Sequence, residues 1–432
     1  MSLTINKKIV KKISGPISMY ILSPQDEYLK VHPYAPIFIL FGDSHHSNKG
    51  YCEEDNVPKI FDPNFLKLLS DAVKSDIHGE EDGKVDFYVE GGDHHLMEIK
   101  EYETKHPMEE IWVLFTKCYR NERMKRLPLN ESDKRICDEI PNIRWQSGDI
   151  RFFYKETKIC NLLKYLDRFI KKVKNPDIIN EKVKFVTYIR YYFLRSSYKC
   201  QQELKDNIFN TDDVHYEYVS NFYSLINKQL AKINSGDGKE DGRIKAEFMD
   251  EFSSYIKMVY NEHFQEDRLE AKMKSIHNKF TNLFNNNIYS VADIIDDLYN
   301  DYLTGDLVKY IDFLMMRDSI KADLYTLARS YKIMTYNKYN NIKNTDEKDI
   351  TRPLINVCYF GHLHMVHINN HLLRLKKYNK VVNVYNESYS LDPDRQNRCL
   401  DLTSIGKNVN IDEIINDLKK FRKDPSKYLP KS

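Results

Sequence analysis

The 432-residue chain has little glycine, no closely spaced cysteine pair and almost no net charge. It also lacks a long apolar run, and each absence removes a class of protein. Its 14 glycines, about half the usual share, exclude glycine-rich low-complexity or fibrous architecture. Seven cysteines (Cys52, Cys118, Cys137, Cys160, Cys200, Cys358, Cys399) are scattered singly. An odd number without a CxxC pair argues against both a disulfide framework and a cysteine-rich zinc knuckle, so a reducing compartment is expected. Lys plus Arg total 66 against 64 Asp plus Glu, a formal +2. No excess of cations is therefore available for the counterion release that drives nucleic-acid binding, and no nucleic-acid partner is expected. The N-terminal MSLTINKKIVKKIS has no apolar signal core, and no run approaches the length that crosses a bilayer. The expected location is cytoplasmic, with no membrane span. The abundance of Lys, Asn, Ile and Tyr resembles the products of AT-rich genomes, some large DNA viruses and protists among them.

What is present is globular: 41% hydrophobic, 12% aromatic and 30% charged residues. The length is about three times that of a usual single domain, which predicts two or three units or one domain with a large insertion. The run IFILF at 37–41 follows a proline and reads as a strand buried on both faces. A helix over 62–74 follows, with Asp62 as N-cap, Pro63 at its first position and Phe65, Leu68, Leu69 and Val73 at helical spacing. Val85 to Glu90 reads as the next strand, giving a right-handed βαβ unit whose ligands gather at the carboxyl ends of its strands. Segments 112–116 (WVLFT) and 143–153 are further strand or short-element candidates.

Between 156 and 305 the chain turns to charged amphipathic stretches such as NLLKYLDRFIKKV, with Lys and Glu on the polar faces. This block predicts a helical insertion, a surface for a protein partner, separating an α/β first half (1–155) from an α/β second half (306–432). In that second half a helix over 306–332 leads to a strand at 354–360, then to Gly361-His362-Leu363-His364 and a helix carrying Met365, Ile368, Leu372 and Leu375. A strand at 381–385 and a helix with Ile411, Ile414, Ile415, Leu418 and Phe421 complete the reading. The expected fold is α/β, a mostly parallel sheet with flanking helices interrupted by the insertion.

Eight of the 14 histidines fall in three clusters: His45 and His46, His94 and His95, then His362, His364, His367 and His371. Each follows a predicted strand. Together with Asp43, Glu90 and Asp93 they supply the neutral nitrogens and carboxylates that a divalent metal site or a general-base site requires. A single histidine at a strand end is more often structural, and packing is the favoured reading for His367 and His371. On the helix before the last cluster, Asp318 falls in an apolar row, with Arg317 beside it. Burying such a charge demands a partner, so this pair either locks helix to sheet or reaches the site.

Two GxxH motifs (Gly42-Asp43-Ser44-His45 and Gly361-His362-Leu363-His364), Glu90 closing the strand DFYVE, and Arg317-Asp318 on a helix together resemble the superfamily uniting TraB/PrgY proteins, TIKI metalloproteases, ChaN-like proteins and erythromycin esterase. The resemblance covers about 150 residues, in blocks 36–93 and 311–376. It implies a hydrolase in which His45, Glu90, Arg317 and His364 meet at one site. His45 and His364, with Glu90 and Asp43, and with Asp93 and His362 as further candidates, would hold Zn(II), Mn(II) or Fe(II) or act directly on a water. Arg317 and the amides opening the helix after Gly361 would stabilise an oxyanion at the carbonyl of a peptide or ester. A second resemblance, through Asp43-x-His45, Gly92-Asp93 and Gly361-His362-Leu363-His364, is to calcineurin-like metallophosphoesterases, although the Asn-His block that family places before its last motif is missing. A third reading is an inactive scaffold on the same fold.

Overall fold

The computed structural model describes residues 2–32, 34–44, 51–52, 54, 56–75, 83–90, 131–148, 322–330, 353–386 and 398–423, with shorter pieces at 110–111, 114, 118, 250–251, 254–255, 258–259, 275, 300–301, 304–306 and 320. One compact unit comprises Met1–Asp149, Lys228–Glu251 and Ala322–Ser432, and a second comprises Ile150–Asn227 and Phe252–Lys321. Everything that follows concerns the first unit. The insertion expected at 156–305 lies almost entirely outside the described residues.

The centre of the first unit is a six-stranded sheet. It contains β4 (Ser18–Pro24), β5 (Ile37–Asp43), β6 (Lys84–Val89), β7 (Ile143–Ser147), β8 (Pro353–Gly361) and β9 (Tyr378–Tyr385), in spatial order β7-β6-β8-β5-β4-β9. The first four of that order run parallel, while β4 is antiparallel to both β5 and β9. All seven residues of β5 and all nine of β8 are buried, as continuous apolar runs require in strands covered on both faces. The α/β, mostly parallel expectation holds for this sheet; β9 is the strand expected at 381–385, while β4 and its antiparallel pairing with β5 and β9 were not singled out by the sequence pattern.

Two smaller sheets tie the ends of the chain together. β1 (Leu3–Ile5) pairs with β2 (Lys8–Val10) and, in parallel, with β11 (Val409–Asn410); β3 (Lys12–Ser14) pairs with β10 (Cys399–Asp401). The two-residue turn between β1 and β2 holds Asn6 and Lys7 at φ 48° and 60°, the left-handed geometry of a tight hairpin. Both of their amides donate to the Asp412 carboxylate at 2.7 Å.

The helices follow their signals. α1 (Asp26–Val31) links β4 to β5, and α2 (Pro63–Ala72) begins at Asp62, whose side chain accepts from the Asn64 amide at 2.8 Å. α3 (Glu131–Glu139) precedes β7. α4 (His362–Arg374) starts directly from β8 and buries Met365, Ile368 and Leu372, and α5 (Ile411–Lys423) buries Ile411, Ile415, Leu418 and Phe421. Residues 322–330 are helical, and all of them except Arg329 are buried.

Two expectations are corrected. The segment 112–116 is not a strand where it is described: Leu114, like Ile111, is helical, and both are buried, three residues apart on one helical face. The single cysteines do form disulfides, Cys52–Cys399 and Cys118–Cys137. The first pair is 347 residues apart in sequence, so only the fold brings it together, and no spacing rule could have shown it. These bridges run against the expected reducing compartment. Among the described residues, Cys358 is the free cysteine, and it is buried. No helix among them is long and apolar enough to cross a membrane.

Candidate functional site

The parallel register places three motifs at one sheet edge. Asp43, the last residue of β5, lies opposite Gly361, the last residue of β8, while β6, on the other side of β8, ends at Val89 and delivers Glu90. Gly361 is the N-cap of α4. Its amide donates to Glu90 Oε2 at 2.6 Å, so the carboxylate sits against the positive end of the helix dipole.

Glu90 Oε1 lies 3.5 Å from Nε2 of His364. The other ring nitrogen, Nδ1, is 2.6 Å from Asp323 Oδ1, giving a row Asp323–His364–Glu90 in which each member is under 10% exposed. Burial alone would depress the His364 imidazole, but the carboxylates of Asp323 and Glu90 outweigh it and push its pKa up to about 10. With Asp323 accepting a hydrogen bond from Nδ1–H, Nε2 is directed at Glu90, the arrangement by which a carboxylate orients a catalytic or metal-bound histidine. The second Asp323 oxygen lies 3.9 Å from Nδ1 of His367. His367 is therefore part of the support beneath the row, in keeping with a packing role.

Asp43 is engaged differently. Arg398, 1% exposed, donates from Nη1 to Asp43 Oδ1 and from Nη2 to the Ser44 carbonyl, and the Ser44 amide donates to the same Asp43 oxygen at 2.7 Å. This arginine fixes the end of β5 as it leaves the sheet, so Asp43 Oδ1 is committed to two donors and is not an open metal ligand.

His362 turns to other partners: its Nδ1 is 2.7 Å from Ser18 Oγ on β4, and its ring packs on Tyr385 of β9 at 5.1 Å between centroids. Burial holds its pKa below the ordinary value. β4 and β9 lie on the far side of β5 from β6, so His362 and His364, two residues apart, serve opposite sides of β8. The glycine of the first motif is explained by the same crossing. A Cβ on Gly42 would lie 2.2 Å from Ser18 Oγ and 2.9 Å from the His362 Cα, a clash that only glycine avoids at this close approach.

Of the residues expected at the site, the structure brings Glu90 and His364 together, ties Asp43 to Arg398 and places His362 against Ser18. His45, His46, Asp93, His94, His95, Arg317 and Asp318 lie outside the described residues. Two contributors escaped the sequence reading. Asp323 is a lone acid in the apolar stretch ADLYTLA, five residues beyond Asp318 of the pair that drew attention; a carboxylate among apolar neighbours in sequence was the one available signal. Arg398 immediately precedes β10 at the end of a polar stretch of sequence, DPDRQNR, and nothing near it in sequence marks it.

As a test of the divalent ion that the family resemblance implies, the donor set offers His364 Nε2, whose proton an ion would have to displace, and one carboxylate oxygen beside it, two ligands of the kind Zn(II), Mn(II) or Fe(II) take within a larger set. Among the described residues, the group of three or more possible ligands whose donor atoms lie close enough to share an ion is Cys52, Glu54 and Cys399, whose cysteines are joined as a disulfide; Glu90 and His364 do not form such a group. No protein-family model, curated protein or solved structure matches this chain.

Proposed function

We propose that the chain is a hydrolase of the TraB/TIKI/ChaN-like type, metal-dependent and acting on the carbonyl group of a peptide or ester, with Glu90 and His364 at its centre. The observation that supports this reading is the buried row Asp323–His364–Glu90 at the carboxyl edge of a parallel sheet, under the first turn of α4. Glu90 is the group placed to accept a proton from an attacking water. His364, held by Asp323, orients toward the same point, and the amides opening α4 supply donors for the oxyanion. His364 Nε2 and Glu90 Oε1, with His45 as a further candidate, would hold the divalent ion. When bound it polarises the carbonyl and acidifies water. In this reading Asp43 and Arg398 are structural, and Arg317 remains a proposed oxyanion partner.

The test joins elemental analysis to a panel of chromogenic esters and peptides. The expected result is near-stoichiometric transition metal in the native chain, lost in His364→Ala, with hydrolysis abolished in Glu90→Gln and lowered roughly 10–100-fold in Asp323→Asn, as for other groups that orient a ligand. Unchanged hydrolysis in Glu90→Gln, or no turnover of any substrate by the metal-replete chain, overturns it. One observation favours the scaffold reading instead: a histidine clamped between two buried carboxylates also fastens a helix to a sheet. That reading predicts the same loss of stability in the variants with no activity to lose. The phosphoesterase alternative draws less support, because the Asn-His block it needs before the last motif is missing and Arg398 already engages one oxygen of the Asp43 carboxylate it requires as a metal ligand.

A further inference from the structure

Away from the Glu90–His364 row, the short strand β3 organises a second cluster. Ser14 lies opposite Cys399 in the β3–β10 ladder, and its hydroxyl accepts the Cys52 amide at 3.0 Å. The Ser14 backbone is fixed in turn, its amide donating to Pro58 and its carbonyl accepting from Ile60. Both cysteines are thus held beside Ser14 by hydrogen bonds that do not involve sulfur. Two residues earlier, Lys12 lies opposite Asp401 and pairs with Glu54, which keeps the Glu54 carboxylate beside the sulfurs. The ligand atoms of Cys52, Cys399 and Glu54 all lie within 4.8 Å of one another, and none of the three residues is fully buried.

We propose that this cluster is a second metal site that alternates with the disulfide. Reduction by a dithiol delivers two electrons and two protons, breaking the Cys52–Cys399 bond to two thiols while the reductant becomes a disulfide. Because the hydrogen bonds around Ser14 remain, the sulfurs stay adjacent. They then release their two protons and, with the Glu54 carboxylate displaced from Lys12, bind a thiophilic divalent cation of the Zn(II) class as a two-sulfur, one-oxygen set. An oxidised dithiol or glutathione disulfide reverses the step, taking two electrons from the thiolates, closing the bond and expelling the ion. Both closed forms strap Cys52 to Cys399, the neighbour of the arginine that clamps Asp43 and Ser44; the metal-free dithiol alone leaves the two cysteines without a covalent or metal link.

Cobalt(II) is the probe, added to the full chain carrying Cys118→Ser/Cys137→Ser so that the other disulfide contributes no thiols. The oxidised protein is expected to show no near-ultraviolet thiolate-to-cobalt absorption. After reduction by a phosphine the band grows to one equivalent, zinc displaces it and glutathione disulfide abolishes it. Adding Cys52→Ser/Cys399→Ser removes the band, while Glu54→Gln, which leaves both sulfurs and the disulfide intact, weakens zinc binding roughly tenfold or more. A band that survives loss of the two cysteines, no band in the reduced parent, or unchanged affinity in Glu54→Gln overturns the assignment. The oxygen- and nitrogen-donor site at Glu90 and His364 gives no thiolate band, so its failure and this one are separately visible.

Discussion

His364 and His371 lie two turns apart on α4 and have opposite relations to pH. In the chelator-treated chain His364 has a folded pKa of about 10, above the ordinary 6.5 or so. Its contribution to stability is complete below about pH 6.5 and is lost as pH rises toward 10, and it is on the order of a few kcal/mol. Asp323→Asn removes the nearer carboxylate, so NMR titration of the His364 ring should move several units toward neutrality; an unmoved titration would contradict the row. His371 is buried, and burial depresses its pKa to about 3. The unfolded chain therefore binds the proton first, and stability falls as pH drops from about 6.5 toward 3. His371→Leu should flatten that acid limb in denaturant titrations between pH 4 and 6 and leave the alkaline limb in place.

At the scale of the element, β8 carries the most consequence, because it is central, wholly buried and continuous with α4. In its middle stands Asn356, 0% exposed, with neither side-chain nitrogen nor oxygen hydrogen-bonded. A buried polar group left unsatisfied costs about 1–3 kcal/mol. Asn356→Val should therefore raise the unfolding free energy by a comparable amount in chemical denaturation, with the Glu90–His364 geometry unchanged. The parallel strands β5 and β8 were legible because both-face burial makes them nearly continuous apolar runs, β6 because it closes on Phe87, Tyr88 and Val89, and α2 because Asp62 and Pro63 mark its start. Glu90 and His364 were found because each directly follows such a run. Asp323 was not, since a helix buried on nearly all sides has no polar face against which one acid stands out. β1 to β3 were missed because three-residue strands are too short for alternation to register, and Leu114 was misread because a five-residue apolar run fits a buried helix as well as a strand.

For the molecule as a whole, the Cys52–Cys399 bridge closes a far larger ring than Cys118–Cys137, 347 residues against 19. In the chain-entropy account longer loops gain more, with typical values of about 2–4 kcal/mol. Cys399→Ser should thus lower the melting temperature more than Cys137→Ser under oxidising conditions, and a reductant should erase the difference between them. Equal losses would mean that β1, β3 and their C-terminal partners hold without the bond. Such long-range closure was invisible in the sequence for the reason that hides Arg398: its partners lie at the other end of the chain.

The pairing of β1 with β11 also bears on the order of events at the ribosome. About 400 residues separate Leu3 from its partner Val409. At synthesis rates of 5–20 residues per second, the first strands wait roughly 20–80 seconds for the segment that completes their sheets. During that interval β1 and β3 present unpaired edges, which close only once the segment carrying β10 and β11 has emerged.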